Sequence, residues 1–161
     1  MYIVPGMQLI PQQKNMSCWY ASAMMLIQWK RNRVMMTLAE HPDPSQVPMT
    51  ATWEINNNGI MNPQIVQLAK ALGLEMVPPM SPSLSYLRRL LEQKGPLWTN
   101  GKSHIVVIAG IDEKANRLYV YDPAPVGVGK IEWRGADWYV GNSVSSRDTG
   151  KDVQAVFLYH R

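Results

Sequence analysis

Apolar residues recur along this chain with two spacings, and the change from one to the other falls near residue 95. Residues 18–29 are apolar nearly all round, which predicts a helix buried inside the domain, with Ser17 placed to cap its start. A shorter helix is expected over 34–40. Residues 41–58 read as a loop, with Asn56-Asn57-Asn58-Gly59 as its strongest turn signal. Asn62-Pro63 is a cap followed by a first-turn proline. It opens a helix over 64–72 that places Ile65, Leu68, Ala69 and Leu72 on one face before Gly73 stops it. The same logic covers 83–94, with Leu84, Leu87, Leu90 and Leu91, ending before Gly95-Pro96. Beyond this point the period shortens, and 97–100, 104–111, 118–122, 129–133 and 153–159 read as strands, with turn residues over 112–116. Helices first and an antiparallel sheet second predict an α+β domain with a cleft between the parts. One domain over 1–161 is expected, its helical half at about 1–95 and its sheet half at about 96–161.

Composition narrows this picture. The 161 residues and an apolar share of 46% suit one compact domain. No stretch reaches the roughly 20 apolar residues of a membrane span. The N-terminus has no basic region followed by a long apolar core, so no ordinary signal peptide is expected. The net charge of +4 is modest. Its one dense cluster, Lys30-Arg31-Asn32-Arg33, follows the first helix and complements the negative helix end. It lacks the interleaved aromatics of a nucleic-acid patch, so no nucleic-acid partner is expected.

Cys18 is the only cysteine. It forms no internal disulfide and fits a reducing compartment or a functional thiol. A thiol attacks as thiolate, and the positive end of the helix it opens favours the anion. A nearby imidazolium would favour it further, and His104, the first residue of an apolar strand, is the candidate. Asp122 ends the next strand. A short antiparallel hairpin sets these two residues side by side, where the carboxylate accepts the imidazole N–H and fixes its tautomer. Gln12, with the Cys18 backbone N–H, is placed to donate to the oxyanion of a tetrahedral intermediate. Singly, each has a plainer reading: a buried small hydrophobe, a core histidine, a turn residue before Pro123. Together they supply nucleophile, base, orienter and oxyanion donor in an order that a cleft can use.

Other side chains contribute less. His41 lies in a proline-rich loop, and His160 stands near the chain end with no partner apparent. Cys18, His104 and Asp122 lack the close-spaced ligand pairs of a zinc site, so neither metal nor cofactor is expected. The eleven methionines read as core filler. Trp19 and Trp98 are the expected substrate-facing aromatics: Trp19 backs the cleft, and Trp98, like Trp133 and Trp138, is either core or subsite wall.

Gln12-x5-Cys18-Trp19, then Gly95-Pro96-Leu97, then the His104 strand through Gly110, then Tyr119 to Asp122-Pro123, resembles the papain-like cysteine peptidases over roughly residues 8–125. Small bacterial branches are the most similar: secreted effector proteases and the domains that process bacteriocin leaders after double glycine. The resemblance implies a papain-like fold with Cys18 as nucleophile, His104 as base and acid, Asp122 as orienter and Gln12 in the oxyanion hole. Aspartate stands where many plant and animal members carry asparagine. Residues 126–161 fall outside the resemblance. It implies a cysteine endopeptidase acting on a protein substrate, with Gly-Gly as a candidate cleavage site. A free-standing, disulfide-free domain of this size looks like a delivered effector or interbacterial toxin acting in a target cell's reducing cytosol. A toxin of this kind is expected to have a cognate immunity protein that blocks the cleft. The same triad would also serve a deamidase, an acyl transferase or a cell-wall amidase, and the non-enzymatic alternative is a retired papain-like domain that binds a partner.

Overall fold

The computed structural model describes residues 1–34, 42–77, 83–101, 104–136 and 156–161. The described elements in chain order are β1 (Tyr2–Ile3), α1 (Cys18–Arg33), α2 (Pro48–Ile55), α3 (Asn62–Leu72), β2 (Leu74–Met76), α4 (Leu84–Lys94), β3 (Leu97–Gly101), β4 (His104–Asp112), β5 (Arg117–Asp122), β6 (Lys130–Gly135) and β7 (Phe157–His160). All described strand pairs are antiparallel, in the order β2-β7-β3-β4-β5-β6, with β1 added on β4. The class is α+β.

The two compositional halves do not correspond to two spatial halves. β1 and β2 come from the helical part of the sequence yet join the sheet. Strands of two and three residues are too short to show a period of two, which is why the hydrophobic pattern missed them. Residues 41–58 were expected to be loop, but Pro48–Ile55 form α2, with Pro48 in the first turn. The short helix expected over 34–40 falls largely outside the described residues; Val34 is extended and ends α1. The first three residues of the strand expected to open at 153 also lie outside them, and the observed strand is Phe157–His160.

Both faces of the sheet are covered. Along β4, Ile105, Val107 and Ala109 join the core under α1 and α3, whereas Val106 and Ile108 join the core under α4. This explains the unbroken apolar run His104–Asp112: a strand buried on two sides has no polar face to alternate with. A bulge between Ile108 and Gly110 then reverses the parity, and Ile111 packs with Val106 and Ile108. The same stretch receives β1. A side chain on Gly110 would press on the Tyr2 carbonyl and the Tyr119 Cβ, both 2.9 Å from its Cβ position, so close strand approach requires glycine here.

α1 packs on β3, β4 and β7. Trp19, Ala21, Ser22, Ala23, Met25, Leu26, Ile27 and Trp29 are buried along it, as an all-round apolar helix requires. At its far end Gly95, with φ +91°, stops α4 where any Cβ would collide with the Trp29 ring. The basic cluster ends in ordinary contacts: Arg31 lies 3.8 Å from Asp43, and Arg33 covers the Trp29 ring.

Candidate active site

Three element ends converge. Cys18 is the first residue of α1, His104 the first of β4 and Asp122 the last of β5. Side-chain hydrogen bonds fix α1 to the sheet beside them. The Ser22 hydroxyl, one turn after Cys18, donates to the Ile105 carbonyl at 3.5 Å, and the Trp98 indole N–H on β3 donates to the Trp19 carbonyl at 3.1 Å. These bonds tie the thiol's helix to β4, which carries the imidazole, and to its neighbour β3.

His104 Nε2 lies 2.6 Å from Asp122 Oδ1. Cys18 acts on the same ring and favours its charged form. With Nε2 engaged by the carboxylate, Nδ1 is the nitrogen left for sulfur. Burial alone would lower the His104 pKa, and it is the largest single influence. The hydrogen bonds to Asp122 and Cys18, with their charges, outweigh it together and raise the pKa from 6.5 to about 9. Asp122 also feels burial most strongly, which would raise its pKa. Its bonds from His104, Arg134 and the Ala124 N–H prevail and hold it below the usual carboxylate value.

Asp122 is engaged at both oxygens. Oδ1 meets His104 and accepts the Ala124 N–H at 2.8 Å, and Oδ2 accepts Arg134 Nη2 at 2.5 Å. Arg134 also donates from Nε to Glu132 Oε1 at 2.7 Å. Arg134 had no part in the sequence reading. The available signal was Glu132-x-Arg134, an i,i+2 charge pair on one face of a strand adjacent to the one ending in Asp122.

Gln12 is buried, and its backbone joins the two sides of the site. Its N–H donates to the Pro123 carbonyl at 2.9 Å, and its carbonyl accepts the Gly127 N–H at 2.8 Å. Its side-chain amide, however, donates to the Lys14 carbonyl at 2.8 Å and the Asn15 carbonyl at 3.1 Å. Both N–H bonds thus stay inside the loop, and buried Oε1 has no hydrogen-bond partner. Turning the amide over would face an oxygen against two carbonyl oxygens, so the observed orientation is the better one.

Ser17 precedes α1 but does not cap it through its side chain. Its hydroxyl accepts the Lys14 N–H and donates to the Lys14 carbonyl, closing the loop instead. Lys14 Nζ reaches the Glu54 and Ile55 carbonyls at the end of α2, and the Met16 N–H reaches Asn57 Oδ1. The loop before α1 therefore rests on the end of α2 and the α2–α3 connection.

The tryptophans require a correction. Trp19 and Trp98 both have 0% exposure and lie in the core, so neither faces a substrate. Each satisfies its one polar atom on a backbone carbonyl, Trp19 on Asn58 at 2.8 Å and Trp98 on Trp19, which permits complete burial. Trp133 is half-buried against Tyr119 and Arg117. Trp138 and His41 lie outside the described residues. His160 is buried in β7, with Nδ1 3.2 Å from the Arg161 carbonyl.

The fold has known counterparts. It is similar to the peptidase domain of Streptococcus ComA, a bi-functional ABC transporter of a quorum-sensing pathway, with a TM-score of 0.58 and 17% identity over 97% of this chain and 100% of that one. It is also similar to a double glycine motif protease from an AMS/PCAT transporter solved with the leader peptide, with a TM-score of 0.53 and 14% identity over 100% of this chain and 96% of that one. No curated relative matches the sequence. The family model described as papain-like cysteine protease AvrRpt2 matches residues 2–141, most of the chain, and the protein belongs to that family of papain-like cysteine proteases.

Proposed function

We propose that Cys18, His104 and Asp122 are the catalytic triad of an endopeptidase that cuts a protein substrate. The observation that carries this reading is the His104 ring, 2.6 Å from the Asp122 carboxylate and with its charged form favoured by the only thiol, Cys18. In the resting site His104, with a pKa of about 9, is the imidazolium at neutral pH. Sulfur attacks the peptide carbonyl, and the Cys18 backbone N–H at the start of α1 stabilises the oxyanion. His104 Nδ1 gives its proton to the leaving amine, then takes one from water to release the acyl group. Asp122 holds the ring throughout.

Gln12 joins the oxyanion hole in this reading by releasing one of its two loop hydrogen bonds as the tetrahedral intermediate forms. The substrate is an extended segment with small residues at the cut, and Gly-Gly is the first sequence to test. The protein acts as a delivered effector or toxin in a reducing cytosol, where a lone thiol stays reduced. An immunity protein covering the Cys18 face is the partner this role requires.

The test is N-terminal proteomics on cells expressing the wild type or Cys18→Ala. New N-termini present only with the wild type are expected, clustered after small residues. Equal N-termini in both samples overturn the peptidase reading. Thiol-dependent glutamine-to-glutamate changes without cleavage would assign the same triad to deamidation.

A further inference from the structure

Asp122 is oriented by a residue outside the triad. We propose that Arg134, steadied by Glu132, is a positioning residue that fixes the Asp122 carboxylate in the orientation His104 requires; this inference rests on the triad reading above.

The geometry is specific. Asp122 sits at the end of β5, where the ladder to β6 pairs it with Lys130 and the chain turns away through residues 123–129. A carboxylate at a strand end is free to rotate unless something engages its second oxygen. Oδ1 already serves His104 and the Ala124 N–H, so the Arg134 bond at Oδ2 determines the plane of the group. Arg134 is itself held by Glu132, and its side chain is only 15% exposed, against 33% for Arg88 in a surface pair. The planar fork of guanidinium joins two carboxylates at once, which an ammonium cannot do in the same way. The result is a chain of charges, Glu132, Arg134, Asp122, His104, Cys18, running from β6 to α1.

Among the described residues, the ionisable groups around Asp122 are few. They are His104 on β4, with Cys18 beyond it, and Arg134, Glu132 and cross-strand Lys130 on β6. Residues 123–129 contribute none. Removing the arginine leaves Asp122 with a free oxygen and one fewer favourable charge. The carboxylate then gains protons more easily and swings more freely, and both changes weaken its hold on the imidazolium.

Because Cys18 is the only thiol, alkylation by iodoacetamide, followed by intact mass against pH, reads the thiolate–imidazolium pair without a known substrate. The wild type is expected to react well below the free-thiol pKa of about 8.5. Asp122→Asn should lose most of that acid-side reactivity. Arg134→Gln should move the acid limb upward by about one pH unit, a roughly tenfold slower reaction on the acid side. Arg134→Lys, which restores the charge but not the fork, should fall between. A purely structural role for Arg134 would lower the melting temperature of Arg134→Gln and leave the limb where it was.

Two failures are distinguishable. If the wild type reacts only as a free thiol, the triad reading falls. If the wild type reacts in acid, Asp122→Asn does not, and Arg134→Gln keeps the wild-type profile, the triad stands and the Arg134 inference is overturned. Should Arg134→Gln not fold, Glu132→Gln decides. It loosens Arg134 from the solvent side and should shift the limb in the same direction by about threefold in rate. An unmoved limb there overturns the inference equally.

Discussion

The carboxylate side of the site and the thiol side differ in how much of their polar surface is already committed. On the sheet, His104 and Asp122 come from strands paired on both flanks, and both Asp122 oxygens have fixed partners. On the loop before α1, Ser17 and Gln12 direct their side chains into the loop itself, and Gln12 Oε1 is buried without a partner. The first region needs no rearrangement to orient the imidazole. The second must exchange one internal hydrogen bond before Gln12 can meet an oxyanion. A strand ladder preorganises a site through backbone pairing, whereas a loop does so only through its own side chains, which are then occupied in the free enzyme.

The largest expected effect comes from breaking the sheet side. His104→Ala removes both the cation paired with sulfur and the proton carrier, and kcat should fall by up to about 10⁴. The melting temperature should fall as well at neutral pH, because the pairing of His104 with Asp122 is lost with the ring. A variant retaining a tenth of the activity would show that another group moves the proton. Breaking the loop side should cost less. Gln12→Ala should lower kcat by on the order of 10²–10³ with little change in KM if the amide donates only in the transition state. If the amide merely props the loop, stability falls instead by about 1 kcal/mol per lost bond and kcat follows weakly. The kcat–KM split separates the two.

The pH dependence sharpens the contrast further. His104 has a folded pKa of about 9 against 6.5 for a free imidazole. Its pairing therefore stabilises the fold fully below 6.5, and that contribution is lost as pH rises from 6.5 through about 9. Asp122 runs the other way: its lowered pKa stabilises the fold above the ordinary carboxylate value near 3.8 and fails as pH falls through the lower folded value. Activity should decline above pH of about 9 in the wild type. In Asp122→Asn the decline should begin lower, because the carboxylate raised the histidine. An alkaline limb unmoved in that variant would mean the carboxylate does not act on the ring.

What was legible in the sequence followed from where each residue sits on its element. Cys18, His104 and Asp122 stand at ends of segments whose periods are clear, so their convergence could be read from a buried helix and a hairpin. Arg134 could not be found that way. Its bond to Asp122 depends on the pairing of β5 with β6 and on a long side chain reaching along the ladder, and neither leaves a local pattern. α2 was hidden by the prolines before it: Pro42 and Pro44 mark a loop, but Pro48 fits a first helical turn. The tryptophans misled for a different reason. An indole beside a lone thiol looks like a cleft wall until the structure shows both rings fully buried with their N–H groups on backbone carbonyls.

That last point carries the smallest predicted effect. Trp98→Phe keeps most of the ring volume and deletes one hydrogen bond, the one that joins β3 to the first turn of α1. A buried bond of this kind contributes about 1 kcal/mol, and at this chain length that lowers the melting temperature by about 2–4 °C. Because Trp98 is fully buried, KM should stay constant. Any loss should appear in kcat, as the Trp19 carbonyl loses its anchor and Cys18 moves slightly relative to His104. A change in KM larger than the change in kcat would return Trp98 to the substrate surface and contradict its place in the core.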